Sequence, residues 1–409
     1  MDFEYGIIGG GPAGYTAGMR LAQQGHSVVL FEKDKLGGTC LNRGCIPTKS
    51  LLHSSELFKQ IQNIENIGLE IEVKSFDFSK VAEKRDNTVE KIRKSLELAV
   101  KNSGVTVINA EAKIVDSSTI LADKEYKVKE IIVATGSKPR ELRGLEFDGN
   151  FVLSSDDVLK LKSLPKSVLI IGSGAIGIEW ARIFSNFGVE VFIVEMAEHL
   201  IPLADIEVSK RVERIFKQKK IKYFLNDCVE KVENNSVILK SGNAVEPDFI
   251  LSAVGRVPVK SNIEGCLTIG DACGEIQLAH YAIYQAMNIN CNESVLPNKA
   301  LVPSVIYGEP EIAWIGLREQ DCDDNYQKTM LPITALGKSW CDDATEGFIK
   351  IITKNNLIVG AHIVSKEASA LIHQLLIAMQ NGIKIDELKK VCFAHPTFSE
   401  GILETICRI

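Results

Sequence analysis

Residues 5–8 form a short apolar run that ends in three glycines; an amphipathic stretch over about residues 13–24 follows, and a second apolar run occupies 27–31. Short apolar runs bounded by glycine read as buried strands, and the stretch between them has the 3.6-residue period of a helix. The chain is therefore predicted to begin with a strand, a tight turn, a helix and a second strand.

The same unit recurs as SVLIIGSGAIGIEWARIFSNFGVEVFIVE over residues 167–195. In the first copy Gly9, Gly11 and Gly14 form a GxGxxG turn and Glu32 ends the second strand. In the second copy Gly172, Gly174 and Gly177 form the turn, and Glu195 ends the strand at the same interval. One such turn is a weak signal. Two of them, each following an apolar strand, opening a helix and completed by a carboxylate, form the fingerprint of a dinucleotide site. Glycine lets the backbone approach a pyrophosphate resting on the helix N-terminus, and the carboxylate accepts hydrogen bonds from ribose hydroxyls. Two bound dinucleotides are expected. Glu195 would repel a 2′-phosphate, and Met196, Ala197, Glu198 and His199 bring no Arg or Lys to neutralise one, so NAD is expected over NADP.

Two shorter signals, IIVATGSKPR at 131–140 and FILSAVGRVP at 249–258, each join an apolar strand to a small polar turn. They suggest that the second unit is inserted in the first, the chain leaving near residue 140 and returning near 255. From about residue 300 the pattern changes to shorter strands at 347–353 and 357–364 and a strongly apolar helix over about 367–381, stopped by Gly382. The expected fold is α/β, with two Rossmann-like dinucleotide-binding domains, one inserted in the other, followed by an α+β domain. The boundaries are 1–140, 141–255 for the insertion, 256–297 for the return, and 298–409.

Composition narrows the class. With 409 residues, 45% of them hydrophobic and 24% charged, the chain can bury more than one core. A net charge of −6 with scattered Lys and Arg excludes the basic footprint of a nucleic-acid binder. No apolar run is long enough to span a membrane and the N-terminus has no export signal, so a cytoplasmic, membrane-free protein is expected. The ten cysteines show no repeated spacing, which argues for buried thiols rather than a secreted disulfide framework.

The exception is GGTCLNRGCIPTK, residues 37–49, with Cys40 and Cys45 close together. A dithiol does not hand a hydride to a nicotinamide, whereas a flavin exchanges electrons with both, so a flavin is expected in the first unit and a nicotinamide in the second. Positions five apart diverge on a regular helix; Asn42 and Gly44 are expected to distort the segment so that the sulfurs meet. A structural bridge and a zinc site are the alternatives to a cycling disulfide, although zinc wants four ligands and no companion Cys or His pair follows. Lys49 lies one helical turn beyond Cys45. A cation there would lower a thiolate's pKa and favour negative charge on a reduced flavin, but a solvated lysine has the same signature.

These segments, with ATGS, GSGAIGIE, AVGR, IGDACG and the late AHPTFSE, resemble the flavin- and nicotinamide-dependent disulfide reductases over nearly the whole chain, most closely the members that oxidise dihydrolipoyl groups. The resemblance implies an FAD site at Gly9, Gly11, Gly14, Glu32, Lys33, Gly38, Thr39, Lys49, Ala112, Thr135, Gly136, Gly270, Asp271 and Ala279. It implies an NAD site at Gly172, Gly174, Ala175, Ile176, Gly177, Glu195, Gly255 and Arg256. By the same resemblance Cys45 faces the flavin, Cys40 exchanges with substrate, Glu179 pairs with Lys49, His395 deprotonates the substrate thiol and Glu400 orients its ring. In this family the histidine pair comes from the second subunit, which implies a homodimer with a shared active site and an interface from about residue 300 onward. The implied reaction is NAD-dependent oxidation of protein-bound dihydrolipoyl groups. The implied partner is the acyltransferase of a 2-oxo-acid dehydrogenase complex or the carrier protein of glycine cleavage. No metal is expected.

Between Arg256 and Asp271 the chain departs from the family pattern, with VPVKSNIEGCLTIG in place of a longer strand-containing stretch. SNIEGCLTIG still reads as the final strand into the flavin motif, so the shortening falls just before Ser261. Glutathione- and mercuric-reductase-like activities are neighbouring alternatives. The first usually has basic residues where Glu195 and Glu198 stand, and the second usually ends in a cysteine pair where this chain has only Cys407. A non-catalytic flavin-binding redox subunit is a third; retention of Cys40, Cys45, Lys49, His395 and Glu400 argues against it.

Overall fold

The computed structural model describes residues 2–62, 64, 68–261, 263–290, 293–294 and 298–409. Phe3–Ile8 and Val28–Phe31 are parallel strands, Tyr5 opposite Val28 and Ile8 opposite Phe31, joined by the helix Pro12–Gln23. Both are buried along most of their length, as inner strands of a covered parallel sheet must be. Thr106–Ile108 extends this sheet beyond Val28–Phe31, and Glu125–Val133 flanks Phe3–Ile8 on the other side. The shortened stretch still completes the sheet: Leu267–Thr268 runs parallel to the end of Glu125–Val133, and the Ile269 N–H donates to the Val133 carbonyl at 3.0 Å.

The second unit repeats the first. Ser167–Ile171, the helix Ala175–Asn186 and Glu190–Val194 belong to a five-stranded, all-parallel sheet that also holds Lys222–Phe224, Phe249–Ser252 and Val152–Leu153. A Cβ at Gly14 would strike the Gly9 carbonyl oxygen, and one at Gly177 the Gly172 carbonyl oxygen. Each helix packs onto its own turn only because both residues are glycine. The two crossover segments meet: Ser137–Pro139 pairs antiparallel with Arg256–Pro258. The chain thus leaves the first sheet and returns to it at one place, the geometry of an inserted unit.

The C-terminal part is a five-stranded antiparallel sheet with Glu311–Gly316, Leu357–Ser365 and Phe348–Lys354 as its inner strands. Ile315, Ile349, Ile351 and Ile363 pack there with Leu371 and Leu375 of the helix Ala368–Gln380. The expectation of shorter strands is corrected. Phe348–Lys354 has seven residues and Leu357–Ser365 nine, against four in Val28–Phe31, because the two-residue turn Asn355–Asn356 joins them directly and their pairing runs from Lys354 opposite Leu357 to Phe348 opposite Val364. The expected boundary at residue 297 lies outside the described residues, as does Asn262 of the shortened stretch. A 25-residue helix, Phe78–Asn102, which no pattern above predicts, is capped by Asp77, whose carboxylate accepts from the Ser79 N–H at 2.9 Å. Among the described residues no helix is long and apolar enough to cross a membrane.

Candidate active site

The helices Gly38–Arg43 and Cys45–Gln62 meet at Gly44. A Cβ on Gly44 would lie 2.9 Å from the Thr39 carbonyl oxygen and 3.3 Å from the Cys40 Cα, so a larger residue would force the two helices apart. Asn42 pins the turn from the other side, its amide donating to the carbonyls of Leu36 and Gly38 at 3.0 Å each. The two residues expected to distort the segment do so, one by lacking a side chain and one by using its own.

The fold-back brings Cys40 and Cys45 together as free, part-buried thiols. The hydrogen bond from Cys40, helped by the Lys49 charge, outweighs burial and brings the Cys45 thiol down to about 7. The same bond and burial push Cys40 up. Negative charge therefore resides on Cys45, with Cys40 as its donor.

Lys49 is no solvated lysine. Its Nζ lies 2.8 Å from both carboxylate oxygens of Glu179 and 4.6 Å from the centre of the Tyr307 ring. The Tyr307 N–H donates to Glu179 Oε1 at 3.1 Å. Burial alone would pull the Lys49 ammonium down, but Glu179 more than offsets it and the pKa is raised, so Lys49 stays charged beside Cys45. The helix Cys45–Gln62, the helix Ala175–Asn186 and the C-terminal part each contribute one of these three residues.

The group opens onto one cavity of about 1760 Å³ that reaches both glycine turns. From the first unit its wall holds Gly11, Thr39, Cys40, Cys45, Lys49, Gly136, Gly270, Asp271 and Ala279. From the second it holds Gly172, Gly174, Ala175, Ile176, Glu179, Glu195, Gly255 and Arg256. Gly9, Gly14, Gly38, Thr135 and Gly177 are not on that wall; they shape the turns that form it. Glu32 accepts from the Gly10 N–H at 2.7 Å and the Asp34 N–H at 2.8 Å. Lys33 stands off the cavity, exposed and 3.3 Å from Glu111 Oε1, and Ala112 packs in the apolar cluster of Ile8, Phe31 and Tyr126. His395 and Glu400 form their pair, Nδ1 to Oε1 at 2.8 Å, but the histidine side chain is 77% exposed and lines no part of its own chain's cavity.

The wall fits two dinucleotides. The helices Pro12–Gln23 and Ala175–Asn186 start at glycine N-caps with no side-chain cap, so their first N–H groups are free for an anion. Nothing stands within 4 Å of where a Gly174 Cβ would sit. Gln277 adds a buried amide nitrogen on the wall with no partner among the described residues. Asp271 is held by Ser137, whose Oγ donates to it at 2.5 Å and accepts from Arg256 Nε at 2.9 Å. That bridge and Tyr307 escape a reading of the sequence. Ser137 lies inside ATGS, where a signal exists, whereas Tyr307 lies in no motif.

Glu195 Oε2 accepts from the Ser173 N–H at 2.8 Å and hydroxyl at 2.7 Å, and Oε1 from the Ala197 N–H at 2.9 Å. Glu195→Gln keeps that shape and removes the charge. The ratio of kcat/KM for NAD to that for NADP is expected to fall by about tenfold or more, read from steady-state rates with each cofactor.

Over residues 3–282 the chain matches the pyridine nucleotide-disulphide oxidoreductases, and over 302–406 their dimerisation domain. Dihydrolipoyl dehydrogenases of Bacillus subtilis (strain 168) and Chlamydia pneumoniae are each 32% identical to it, over 462 and 440 residues, covering 98% of this chain and 97% and 95% of their own. These alignments are longer than the 409 residues here, so the chain lacks internal segments that those relatives have. In fold it is similar to LpdA from Mycobacterium tuberculosis, with a TM-score of 0.92 at 24% identity over 99% of each chain. The HOCl-induced flavoprotein disulfide reductase RclA from Escherichia coli follows at 0.87 and 23%, also over 99% of each.

Proposed function

The chain belongs to the pyridine nucleotide-disulphide oxidoreductase family, and from that premise we propose that it oxidises protein-bound dihydrolipoyl groups to lipoyl with NAD as acceptor. Its cofactors are FAD and NAD. The carrying observation is the Cys40–Cys45 pair, with Lys49 and Glu179 beside it, on a cavity that reaches both glycine turns. The flavin, when bound, carries an electron pair between the sulfur couple and the nicotinamide.

The residues divide the work as follows. In the oxidised chain Cys40 and Cys45 are bonded. His395 of a second copy takes the proton from one substrate thiol, whose sulfur attacks Cys40 Sγ and breaks the Cys40–Cys45 bond. Cys45 leaves as a thiolate, stabilised by Lys49. The second substrate thiol attacks its partner sulfur in the mixed disulfide, closes the lipoyl ring, and its proton goes to the departing Cys40. The product is a Cys40 thiol hydrogen-bonded to a Cys45 thiolate, the state that the geometry described above favours. Glu400 holds the His395 ring by Nδ1, leaving Nε2 to take the proton.

The dimerisation domain makes the chain part of a homodimer. The shared site, the lipoyl-bearing partner and a cytoplasmic location belong to the proposal; ten cysteines scattered without repeated spacing support the last. The test is anaerobic. Protein loaded with FAD and given dihydrolipoamide and NAD should form one NADH per dihydrolipoamide consumed. Flavin-loaded protein that forms no reduced nicotinamide with either NAD or NADP sinks the lipoyl assignment.

A further inference from the structure

Behind Glu179, off the cavity wall, a second set of charges gathers where the three parts of the chain meet. Arg182 follows Glu179 by one turn on the helix Ala175–Asn186 and is 1% exposed. Its Nη1 donates to the Tyr307 carbonyl at 2.9 Å, while Nε and Nη2 have no partner among the described residues. One helix thus grips the Tyr307 backbone on both sides of its Cα, by Glu179 at the N–H and by Arg182 at the carbonyl.

Around the guanidinium stand Glu56 of the redox helix, Glu309 and Glu311 just past Tyr307, and Lys219 at the end of Ile206–Gln218. Glu309 is tied in by Gln60, whose amide donates to it at 2.9 Å, and by Lys219, which donates to its carbonyl at 3.3 Å. Glu56 Oε1 is buried without a partner among the described residues. Burial, with Glu309 adding to it, pushes Glu56 up to about 7, and burial brings Arg182 down to about 10. A buried guanidinium with unpaired donors is costly, and an apolar side chain would pack the same space without that cost.

We propose that Arg182 is a positioning residue for the redox pair: it clamps Tyr307 against Glu179, so fixing the carboxylate that holds Lys49, and it offsets the Glu179 charge that opposes a thiolate at Cys45. Cys45 is faced by Cys40, Lys49, Glu179, Tyr307 and Tyr15. Of these Glu179 is the carboxylate, and it works against the thiolate. Without Arg182 the Glu179 charge would be opposed by Lys49 alone, and Tyr307 would no longer hold the carboxylate in place for it; both changes favour the thiol.

This inference rests on the reading of Cys45 as the thiolate next to the flavin, and the experiment separates the two. Holoenzyme, reduced anaerobically with one equivalent of NADH, is titrated with pH while the long-wavelength absorbance of a thiolate against oxidised flavin is followed. Arg182→Gln is expected to raise the midpoint by about half a pH unit or more, and Arg182→Lys, which keeps the charge, to restore it towards wild type. A wild-type midpoint in Arg182→Gln overturns the proposal. Should that variant not assemble, Glu309→Gln carries the test: removing a carboxylate that opposes Arg182 lowers the midpoint, and an unchanged one overturns the proposal. Absence of the band in the wild type sinks the Cys45 reading, and this proposal with it.

Discussion

Cys45→Ser is expected to lose dihydrolipoamide oxidation by at least about 10⁴-fold in kcat, while NADH-driven reduction of a dye persists. The hydroxyl nearly matches the thiol in size, so the turn built on Gly44 and Asn42 and the Lys49–Glu179 pair keep their shape. What is lost is chemical. Serine forms no disulfide, so the oxidised chain offers the substrate thiol no sulfur–sulfur bond to break. The glycine turns that would hold the dinucleotides are untouched, and the dye assay reports on them separately. Turnover in Cys45→Ser at even a tenth of the wild-type rate would mean that electrons bypass the sulfur pair, and the relay would have to be abandoned.

His395→Gln is expected to lower kcat/KM for dihydrolipoamide by about 10²- to 10⁴-fold, the range for removing a general base. The neighbourhood is prepared for that role. Glu400 Oε2 accepts from the Thr397 N–H at 2.7 Å while Oε1 faces the ring nitrogen, and the Thr397 contact, with His395 adding to it, holds the Glu400 carboxyl below its ordinary range. Glu400 therefore stays anionic and keeps the ring turned one way. Exposure of the imidazole on its own chain has a sharper consequence. If each site is built from two copies, a mixed dimer of Cys45→Ser and His395→Gln chains contains one site with both groups intact. Co-expressed and purified by two tags, that dimer is expected to show about half the wild-type activity, although each parent homodimer is nearly inactive. Were His395 to serve its own cysteines, every site in the mixed dimer would carry one lesion and no activity would return.

Local signals proved readable where the physics is local. The two glycine turns and their helices fall within a residue or so of their predicted places, because an apolar run, a glycine and an amphipathic period each act over a few residues. The redox turn was legible for a related reason: a spacing that a regular helix cannot serve has to be broken by the residues inside it. Contacts created by topology carry no such mark. Ser137 reaches Asp271, Arg256 reaches Ser137 and Arg182 reaches Tyr307, each across more than a hundred residues that the sheets bring together. The helix Phe78–Asn102 is hidden differently: Phe78, Ala82, Arg85 and Val89 are buried at helical spacing, but two of those four are an alanine and an arginine, which mark an apolar stripe weakly.

The three-residue ladder between Ser137–Pro139 and Arg256–Pro258 makes the second unit a cassette with adjacent ends. A module plugged in through so small a socket can be exchanged, or altered in its preference for one nicotinamide over another, without rethreading the host sheet. Its independence has a limit at Glu179 and Arg182, which grip Lys49 and Tyr307 of the host. A transplanted cassette would bring its own choice of electron acceptor, but it would work only in a host that offers those two handholds.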